Sequence, residues 1–401
     1  MPLRPPAGFI SANYDPLRNP DAPTGVTAAA GNTQATVSFT APANVGGSAI
    51  SAYYAVSNPS QITASGASSP VTVTGLTNGT AYTFQVWALN TFGPGAFSAA
   101  SDSVTPAVPP RVVFGGGQNN VIQYVALAST GNTSDFGDLS NAAGDTQFEQ
   151  MGACASTTRG IFAGGFASPN TAGRIADIQY ITIATTGNAT SFGSLSIANY
   201  TLAACNSATR GVFGGGLTPN STNAINYITI STTGNSTTFG QLTVGRDELA
   251  ALSSPTRGVF CGGKNSSSVK QNVIDYVTIA TTGNATDFGD LTGAYIQLAA
   301  ASNSTRGIIG SGNDGANSSS IQYITIATTG NATFFGNLTV TLSGRAAVSS
   351  TSTVAFAGGS SPSSNVIDKV TIATTGNATD FGDLLQVNYY LAGLSAGNGG
   401  L

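Results

Sequence analysis

The sequence predicts an all-β protein, and three observations support this fold class. The chain has 401 residues with 51 glycines and 17 prolines, a composition that suits short strands joined by tight turns. Residues 21–108 alternate apolar and polar positions in short runs, as half-buried strands do. A phrase containing TTGN or a close variant, followed by FG, then recurs six times without helical periodicity.

The bulk composition allows a folded core and argues against several kinds of partner. Hydrophobic residues make up 41% and charged residues 7% of the chain, so low charge does not imply disorder. The net charge is −4 with no basic run, which argues against nucleic-acid binding. We find no apolar stretch of about 18 residues, so we expect no membrane-inserted helix. The proline-broken N-terminus lacks the apolar core of a secretory leader.

Residues 1–20 are predicted to form an arm that buries no core of its own. The segment contains four prolines before position 20 and no apolar periodicity. Two interpretations stay open: an unstructured terminus, or an extended anchor that orders on a partner surface. In the second case the candidate anchoring residues are Phe9, Ile10 and Tyr14.

Residues 21–108 are predicted to form a β-sandwich. Turn residues separate the runs ATVSFTAP, AISAYYAVSN, SPVTVTGL, AYTFQVWALN and FSAASDSVTP at sandwich spacing. The segment resembles a fibronectin type III domain over its whole length. Leu76, Gly79 and Tyr82 fit the tyrosine corner of that family, and Asn90 with the following Gly-Pro-Gly fits its last hairpin. Phe39 stands where the family usually has tryptophan. Such modules mostly act as spacers.

Residues 109–401 carry the repeat. The phenylalanines of the FG pairs are Phe136, Phe192, Phe239, Phe288, Phe335 and Phe381. A self-similar period near 50 residues indicates a propeller or a β-solenoid. Each unit contains four strand-like runs, which in the third unit are 200–207, 210–216, 225–231 and 236–244. The TTGN segment supplies a glycine for the tight turn between the third and fourth runs.

The units resemble kelch repeats in three features: a glycine pair after the second strand, a tyrosine in the third and an aromatic in the fourth. They depart from that family by using phenylalanine where it has tryptophan, so no kelch function is transferred. The first unit begins at its second strand, 111–117, and an unassigned first-strand pattern follows the last unit at 388–396. Pairing these two segments predicts six blades closed by the C-terminal strand, with no free edges.

The sequence argues against an enzyme and against a cofactor or metal site. The chain has no histidine, which removes Ser-His-Asp and Cys-His activation. DFG occurs three times, but inside the repeat and without the other kinase elements, so we interpret it as a turn. The three cysteines are scattered and fit small buried hydrophobes. Paired-carboxylate chemistry is the remaining enzymatic option, with Glu149, Asp247 and Glu248 as its available acids.

The repeats differ mainly in two loop classes, which a propeller places on one face. The turns between strands one and two, and between strands three and four, hardly change. The other loops vary in length and content, which indicates either a specificity surface or unconstrained drift. Their polar and aromatic residues suit sugar or polar-surface recognition. The candidate surface-binding residues are Phe148, Glu149, Arg174, Tyr200, Asn220, Lys264, Lys270, Tyr295, Asp314 and Tyr389.

The opening LRPPAGFISANYDPL followed by the fibronectin-like module resembles structural proteins of marine cyanophages. That resemblance implies a non-enzymatic protein of the virion surface, as a tail fibre or a capsid decoration. The arm would dock on other virion proteins, and the repeat domain would contact a host-surface glycan or protein, with oligomerisation possible. Two alternatives remain: a secreted bacterial glycan-binding adhesin and a carbohydrate-active enzyme.

Overall fold

A computed structural model of the chain describes residues 17–107, 111–128 and 131–395. The candidate anchoring residues Phe9, Ile10 and Tyr14 lie outside these ranges. The chain divides into two units, Met1–Pro109 and Pro110–Leu401, which we call unit 1 and unit 2. Every regular element within the described residues is a β-strand, so the predicted all-β fold class is confirmed.

Unit 1 contains two antiparallel sheets. Its strands are β1 (Thr24–Ala30), β2 (Gln34–Thr40), β3 (Ala52–Asn58), β4 (Thr63–Gly66), β5 (Val71–Thr74), β6 (Thr83–Asn90) and β7 (Gly93–Pro94). One sheet has the order β1-β2-β5 and the other β4-β3-β6-β7. The inward residues of both sheets share one apolar core, as their alternating pattern predicts.

The tyrosine corner is present in unit 1. Tyr82 is buried, and its Oη accepts a hydrogen bond of 3.1 Å from the backbone N–H of Thr77. Phe39 is buried in the same core. The buried Phe39 and the hydrogen bond of Tyr82 therefore both lie where the sequence predicts them.

Unit 2 consists mainly of four-stranded antiparallel sheets. Its strands are β8 (Val112–Gly115), β9 (Val121–Val125), β10 (Ser134–Asp138), β11 (Gln147–Glu149), β12 (Gly152–Ala155), β13 (Arg159–Ala163), β14 (Phe166–Ser168), β15 (Gly173–Arg174), β16 (Asp177–Thr182), β17 (Thr190–Ser194), β18 (Ala203–Asn206), β19 (Arg210–Gly214), β20 (Ala224–Thr229), β21 (Thr237–Gln241), β22 (Ala250–Ser253), β23 (Arg257–Cys261), β24 (Val273–Thr278), β25 (Thr286–Asp290), β26 (Ala299–Ser302), β27 (Arg306–Gly310), β28 (Ser320–Thr325), β29 (Thr333–Asn337), β30 (Ala346–Ser349), β31 (Thr353–Ala357), β32 (Ser364–Thr371), β33 (Thr379–Asn388) and β34 (Ala392–Leu394).

Six sheets repeat the same order of first to fourth strand. We number them along the chain: sheet 1 is β34-β8-β9-β10, sheet 2 is β12-β13-β16-β17, sheet 3 is β18-β19-β20-β21, sheet 4 is β22-β23-β24-β25, sheet 5 is β26-β27-β28-β29 and sheet 6 is β30-β31-β32-β33. The C-terminal strand β34 pairs with β8, as expected from the unassigned pattern at 388–396. Each first strand contacts the first strands of its neighbours, and β34 contacts both β12 and β30.

Apolar side chains fill the space between neighbouring sheets. In one such layer Ile161 of sheet 2 and Phe213 of sheet 3 belong to the same buried cluster. The second strands, such as β19, are buried along almost their whole length, which explains their continuous apolar sequence. Burial of this surface is the main favourable contribution to the stability of unit 2.

The repeated phrase joins each sheet to the one before it. In every copy the backbone N–H of the glycine in TTGN or its variant donates to the carbonyl of the preceding sheet's FG phenylalanine, with N···O distances of 2.7–3.2 Å. These pairs are Gly131–Phe381, Gly187–Phe136, Gly234–Phe192, Gly283–Phe239, Gly330–Phe288 and Gly376–Phe335. The next asparagine accepts a backbone N–H two residues after that phenylalanine, as Asn188 does from Asp138 at 3.0 Å. We call this pair of contacts the turn lock.

The glycine of FG is required by the close approach of the turn in this lock. A Cβ added to Gly240 would lie 2.0 Å from the carbonyl oxygen of Gly283. Any side chain at that position would push the two sheets apart. The sequence predicts TTGN only as a hairpin turn. The structure shows that it also binds the neighbouring sheet.

The loops of sheet 2 are more structured than the sequence predicted. The strands β11, β14 and β15 pair in a separate three-stranded sheet. Phe148 lies in β11, is fully buried and belongs to a core cluster. Its prediction as a surface-binding residue was therefore wrong. The linker around it forms the strand β11, which places the phenyl side chain of Phe148 in the core.

Asp145 ties this extra sheet together. Its side chain is buried and accepts hydrogen bonds from the Thr171 hydroxyl, from Asn141 Nδ2 at 2.8 Å and from the Asn170 N–H at 2.6 Å. Burial alone would raise the pKa of Asp145, but these hydrogen bonds outweigh it and lower the pKa to about 2.

We predict that Gly240→Ala lowers the free energy of unfolding by about 1–3 kcal/mol, because overpacking at the turn lock separates two sheets. Gly283→Ala is the matched control, since a Cβ there would meet no atom within 4 Å. Chemical denaturation of both variants measures the difference. Equal loss of stability in the two variants would contradict the turn lock.

We predict a pH-dependent contribution from Asp145. Its folded-state pKa of about 2 lies below the ordinary aspartate value of about 3.9. The carboxylate therefore stabilises the fold above about pH 4, and this stabilisation is lost as the pH falls towards 2. Melting temperatures of the wild type and Asp145→Asn, compared from pH 5 to pH 2, should converge at the acid end. A constant difference over that range would disprove the prediction.

Candidate functional site

Two kinds of loop end the sheets of unit 2, and they lie at opposite ends of the strands. The constant face contains the turns between first and second strands and between third and fourth strands. The variable face contains the loops between second and third strands and the linkers that lead to the next sheet. Arg111 directly precedes β8, so the chain enters unit 2 at the constant face. Nine of the ten candidate surface-binding residues are at least partly exposed on the variable face.

Six of these nine are only partly exposed, and three of the six are Glu149, Tyr200 and Tyr389, which pack against neighbouring side chains. Glu149 accepts a hydrogen bond from Gln118 Nε2, and burial raises its pKa. The ring of Tyr200 lies 6.1 Å from that of Phe166. Tyr389 packs edge-on against Tyr390, with ring centroids 5.0 Å apart.

Two lysines belong to one hairpin of sheet 4, closed by a bridge between Lys264 and Lys270. Lys264 Nζ lies 2.7 Å from Glu248 Oε1, and Lys270 Nζ donates to Asn313 Oδ1 at 2.9 Å. Both side chains are thus held by protein partners. The remaining candidates are Arg174, Asn220 and Asp314, which are exposed, and Tyr295, which is half-buried.

Six residues, of which the sequence analysis named only Glu248, form a hydrogen-bonded circle on the variable face. They are Gln150, Thr201, Glu248, Gln297, Gly344 and Tyr390, and we call them the ring residues. The backbone N–H of each donates to the carbonyl of the ring residue in the preceding sheet, at 2.8–3.2 Å, and Gln150 completes the circle by donating to Tyr390. Each lies just before the start of a first strand.

The ring residues share a left-handed backbone conformation. Their φ angles lie between 54° and 64°. Glycine adopts this conformation readily, whereas other residues adopt it at a cost, yet only Gly344 is a glycine. Five side chains are therefore kept where glycine would be easier to accommodate. Such local strain is concentrated at functional sites.

The ring residues surround a polar pocket, which we call the axial pocket. It has a volume of about 100 Å³, enough for a few water molecules or a small polar group. Gln297 Nε2 donates to Tyr390 Oη at 3.0 Å, and Gln297 Oε1 accepts from Ser343 Oγ at 3.0 Å. Apolar residues such as Leu249 and Leu298 form its floor. The residues that line the pocket thus carry amide, hydroxyl and carboxylate side chains as well as apolar ones.

The carboxylates near the axial pocket are paired with one lysine. Lys264 Nζ lies 3.7 Å from Asp247 Oδ1, in addition to its contact with Glu248. Burial raises the pKa of Asp247, while Ser221 and Lys264 act against that shift. Burial and the charge of Glu248 also raise the pKa of Tyr390. Glu248 Oε2 is buried without a hydrogen-bond partner among the described residues, so it has acceptor capacity left.

A buried ion pair holds the linker that carries Glu248. Arg246 and Asp275 have fully buried side chains whose Nη2 and Oδ2 atoms lie 2.5 Å apart. Arg246 Nη1 also donates to the carbonyls of Gly262 and Val273. Because Arg246 is two residues from Glu248, this pair fixes the position of the ring residue in sheet 4. Arg345, which directly follows the ring residue Gly344, forms a comparable buried pair with Asp368 in sheet 6.

The ring residues had a signal in the sequence. Each directly precedes one of six related segments, MGA, LAA, LAA, LAA, RAA and LAG, whose second residue begins a first strand. The ring position is a variable residue attached to an otherwise repeated motif. Comparison of the units by loop length and loop composition did not reveal it.

The described residues contain no group of three or more cysteine, aspartate or glutamate residues placed to hold a metal ion. None of their secondary-structure elements is a helix of the length and apolarity needed to cross a membrane.

We predict that Asp275→Ala lowers the free energy of unfolding by about 3–5 kcal/mol, because it leaves Arg246 buried without its counter-charge. The double variant Arg246→Met/Asp275→Leu should cost less, since it removes both charges and keeps the volume filled. Urea denaturation measures both values. An equal cost for the single and double variants would contradict this account.

Comparisons with known proteins identify part of the chain. Residues 21–104 match the family model of the fibronectin type III domain. A solved structure titled "Structure of YjhT" is similar to the chain with a TM-score of 0.51 and 11% sequence identity, and the likeness covers 63% of this chain and 88% of that one. At this identity the likeness concerns the fold alone. It extends over more residues than unit 1 contains, so it includes part of unit 2.

No curated protein sequence matches the chain. The family match and the tyrosine corner agree on the N-terminal part of the molecule. Residues 21–104 form a fibronectin type III domain within an all-β chain.

Proposed function

We propose that unit 2 is a closed six-bladed, kelch-like β-propeller, that the protein is a non-enzymatic component of a virion surface, and that its variable face binds a host-surface glycan or protein. Sheets 1 to 6 are the blades, and β34 closes the ring by completing sheet 1. In this proposal the N-terminal arm docks on other virion proteins.

The contacts of the first strands support the propeller. Each first strand lies beside those of the neighbouring sheets, and β34 has such neighbours on both sides. The ring residues and the turn locks both connect sheet 6 to sheet 1 with the same bonds that connect the other sheets. A propeller gathers its first strands side by side and so leaves only short, protected strand edges.

The observation that carries the binding role is the left-handed conformation of five non-glycine ring residues around a polar pocket. The hydrogen-bonded circle uses only backbone atoms, so the side chains are not needed for it. Side chains kept at a conformational cost, and bearing groups suited to hydrogen bonding, favour recognition over drift.

Other observations support the remaining parts of the proposal. The likeness of the opening residues to cyanophage structural proteins supports the virion assignment. A non-enzymatic role is supported by the pairing of the nearby acids: Lys264 holds Glu248, and Gln118 donates to Glu149.

Glycine substitution at the ring tests the binding role. We predict that Gln150→Gly/Thr201→Gly/Gln297→Gly stays folded, because relief of strain at three positive φ angles offsets the loss of the Gln297 hydrogen bonds to Tyr390 and Ser343. The same variant should weaken binding of the labelled full chain to host cells at least about tenfold, since it removes the hydrogen-bonding side chains. Thr33→Gly, at φ 53° in unit 1, is the matched control. Unchanged cell binding by a folded triple variant would refute the binding role of the ring.

Localisation tests the virion assignment. Antibody labelling and electron microscopy of intact particles should place the chain on the particle surface. Deletion of residues 1–20 should prevent incorporation into particles. Unchanged incorporation would contradict the anchoring role, and labelling of a bacterial surface instead of particles would favour the adhesin alternative.

A further inference from the structure

The hairpins on the variable face are joined to one another unevenly. We call residues 217–223 hairpin 3, residues 264–270 hairpin 4 and residues 313–317 hairpin 5, after the sheets that carry them. Lys270 of hairpin 4 donates to Asn313 of hairpin 5, and Asn317 Nδ2 of hairpin 5 donates to the carbonyl of Ser360 in sheet 6 at 3.3 Å. No hydrogen bond joins hairpin 3 to hairpin 4 within the described residues.

An open groove lies between hairpins 3 and 4, which we call the hairpin groove. Its volume is about 520 Å³, within the range of about 300–1,000 Å³ that is usual for ligand pockets. Hairpin 3 provides most of its lining, and Val244, Gly245, Asn265 and Ser266 provide the rest. No lining residue carries a charge, and most carry a hydroxyl or an amide group.

Several polar groups of the groove have no partner within the described residues. The side-chain amide of Asn220 and the hydroxyl of Ser266 make no hydrogen bond there, and both residues are exposed. Asn265 uses its Oδ1 to accept the N–H groups of Ser267 and Val269, so its Nδ2 donors stay free. The groove thus offers donors and acceptors from both walls.

We propose that the hairpin groove binds a neutral oligosaccharide. A neutral sugar chain supplies many hydroxyl groups and no charge, which matches uncharged walls with free amide and hydroxyl groups. Pro219 and Val244 provide short apolar surfaces for the carbon faces of the sugar. A peptide would need an open strand edge or a deep apolar pocket for an anchor side chain, and the groove lining provides neither. This inference deepens the proposed function and rests on it.

The groove is connected to the axial pocket through a short network. Ser221, a groove residue, donates to Asp247 Oδ2 at 2.5 Å. Asp247 precedes the ring residue Glu248, and Lys264 contacts both acids. The linker that lines the groove with Val244 and Gly245 therefore also carries Glu248 at the axial pocket.

Glycan binding tests the groove. The full chain is applied to an array of neutral, carboxylated, sulfated and amino-sugar oligosaccharides, and dissociation constants are measured for those it retains. We expect neutral chains longer than a single sugar to bind. Asn220→Ala/Asn265→Asp should weaken their binding at least about tenfold, because it removes amide donors from both walls. The carboxylate introduced by the second substitution keeps the acceptor that closes the turn of hairpin 4.

Thr209→Ala/Thr256→Ala is the matched control, since these exposed threonines line a cleft of about 380 Å³ on the constant face. It should leave glycan binding unchanged. Melting temperatures establish that all variants are folded. Loss of binding in the control as well as in the groove variant would overturn the assignment to the groove.

The failure of this inference is distinguishable from failure of the proposed function. Glycan binding that survives the groove variant but not the glycine variant of the ring would overturn the groove and leave the function standing. Binding of only charged glycans, or binding to host cells without any glycan, would overturn the neutral-sugar assignment. Absence of binding to both glycans and host cells would overturn the two proposals together.

Discussion

The turn lock is the contact on which the arrangement of unit 2 depends. It makes the turn of one sheet complete the hydrogen bonding of the fourth strand in the sheet before it, six times over. The donor glycine and the acceptor phenylalanine both belong to the same repeated phrase, so each copy of the phrase can form the lock with the copy in the neighbouring sheet. This explains why the phrase is nearly invariant while the loops at the opposite ends of the strands differ.

Sequence reasoning was most successful where local rules decide the structure. Strand alternation and the corner formed by Tyr82 are readable from neighbouring residues, and both are present. It was wrong for Phe148. The linker that contains this residue pairs as β11 with β14, which lies in a loop further along the chain, and this pairing places the phenyl side chain in the core. The ring residues were missed because their role depends on backbone atoms of other sheets. The hairpin groove was missed because it exists only where two neighbouring hairpins, 3 and 4, are not hydrogen-bonded to each other, and the sequence does not show which hairpins are joined.

The repeats also differ inside the fold, at one position of the third strand. Gln179 and Gln322 accept the backbone N–H of the preceding linker at 2.9 Å and 2.8 Å. Asp275 and Asp368 stand at the same position and form buried pairs with arginines from that linker. A neutral amide and an ion pair thus solve the same problem, which is to hold a linker at a buried place. The ion pair costs more to desolvate, so its loss is expected to be more damaging.

The backbone circle of the ring residues has a consequence for how such a molecule can change. Since only N–H and carbonyl groups close the circle, a substitution at one ring position alters the axial pocket without removing a bond of the circle itself. Six geometrically equivalent positions can therefore change their side chains, each offering a different chemical group to the same central point. A lineage facing a changing receptor could explore many combinations at these positions while its architecture is inherited unaltered.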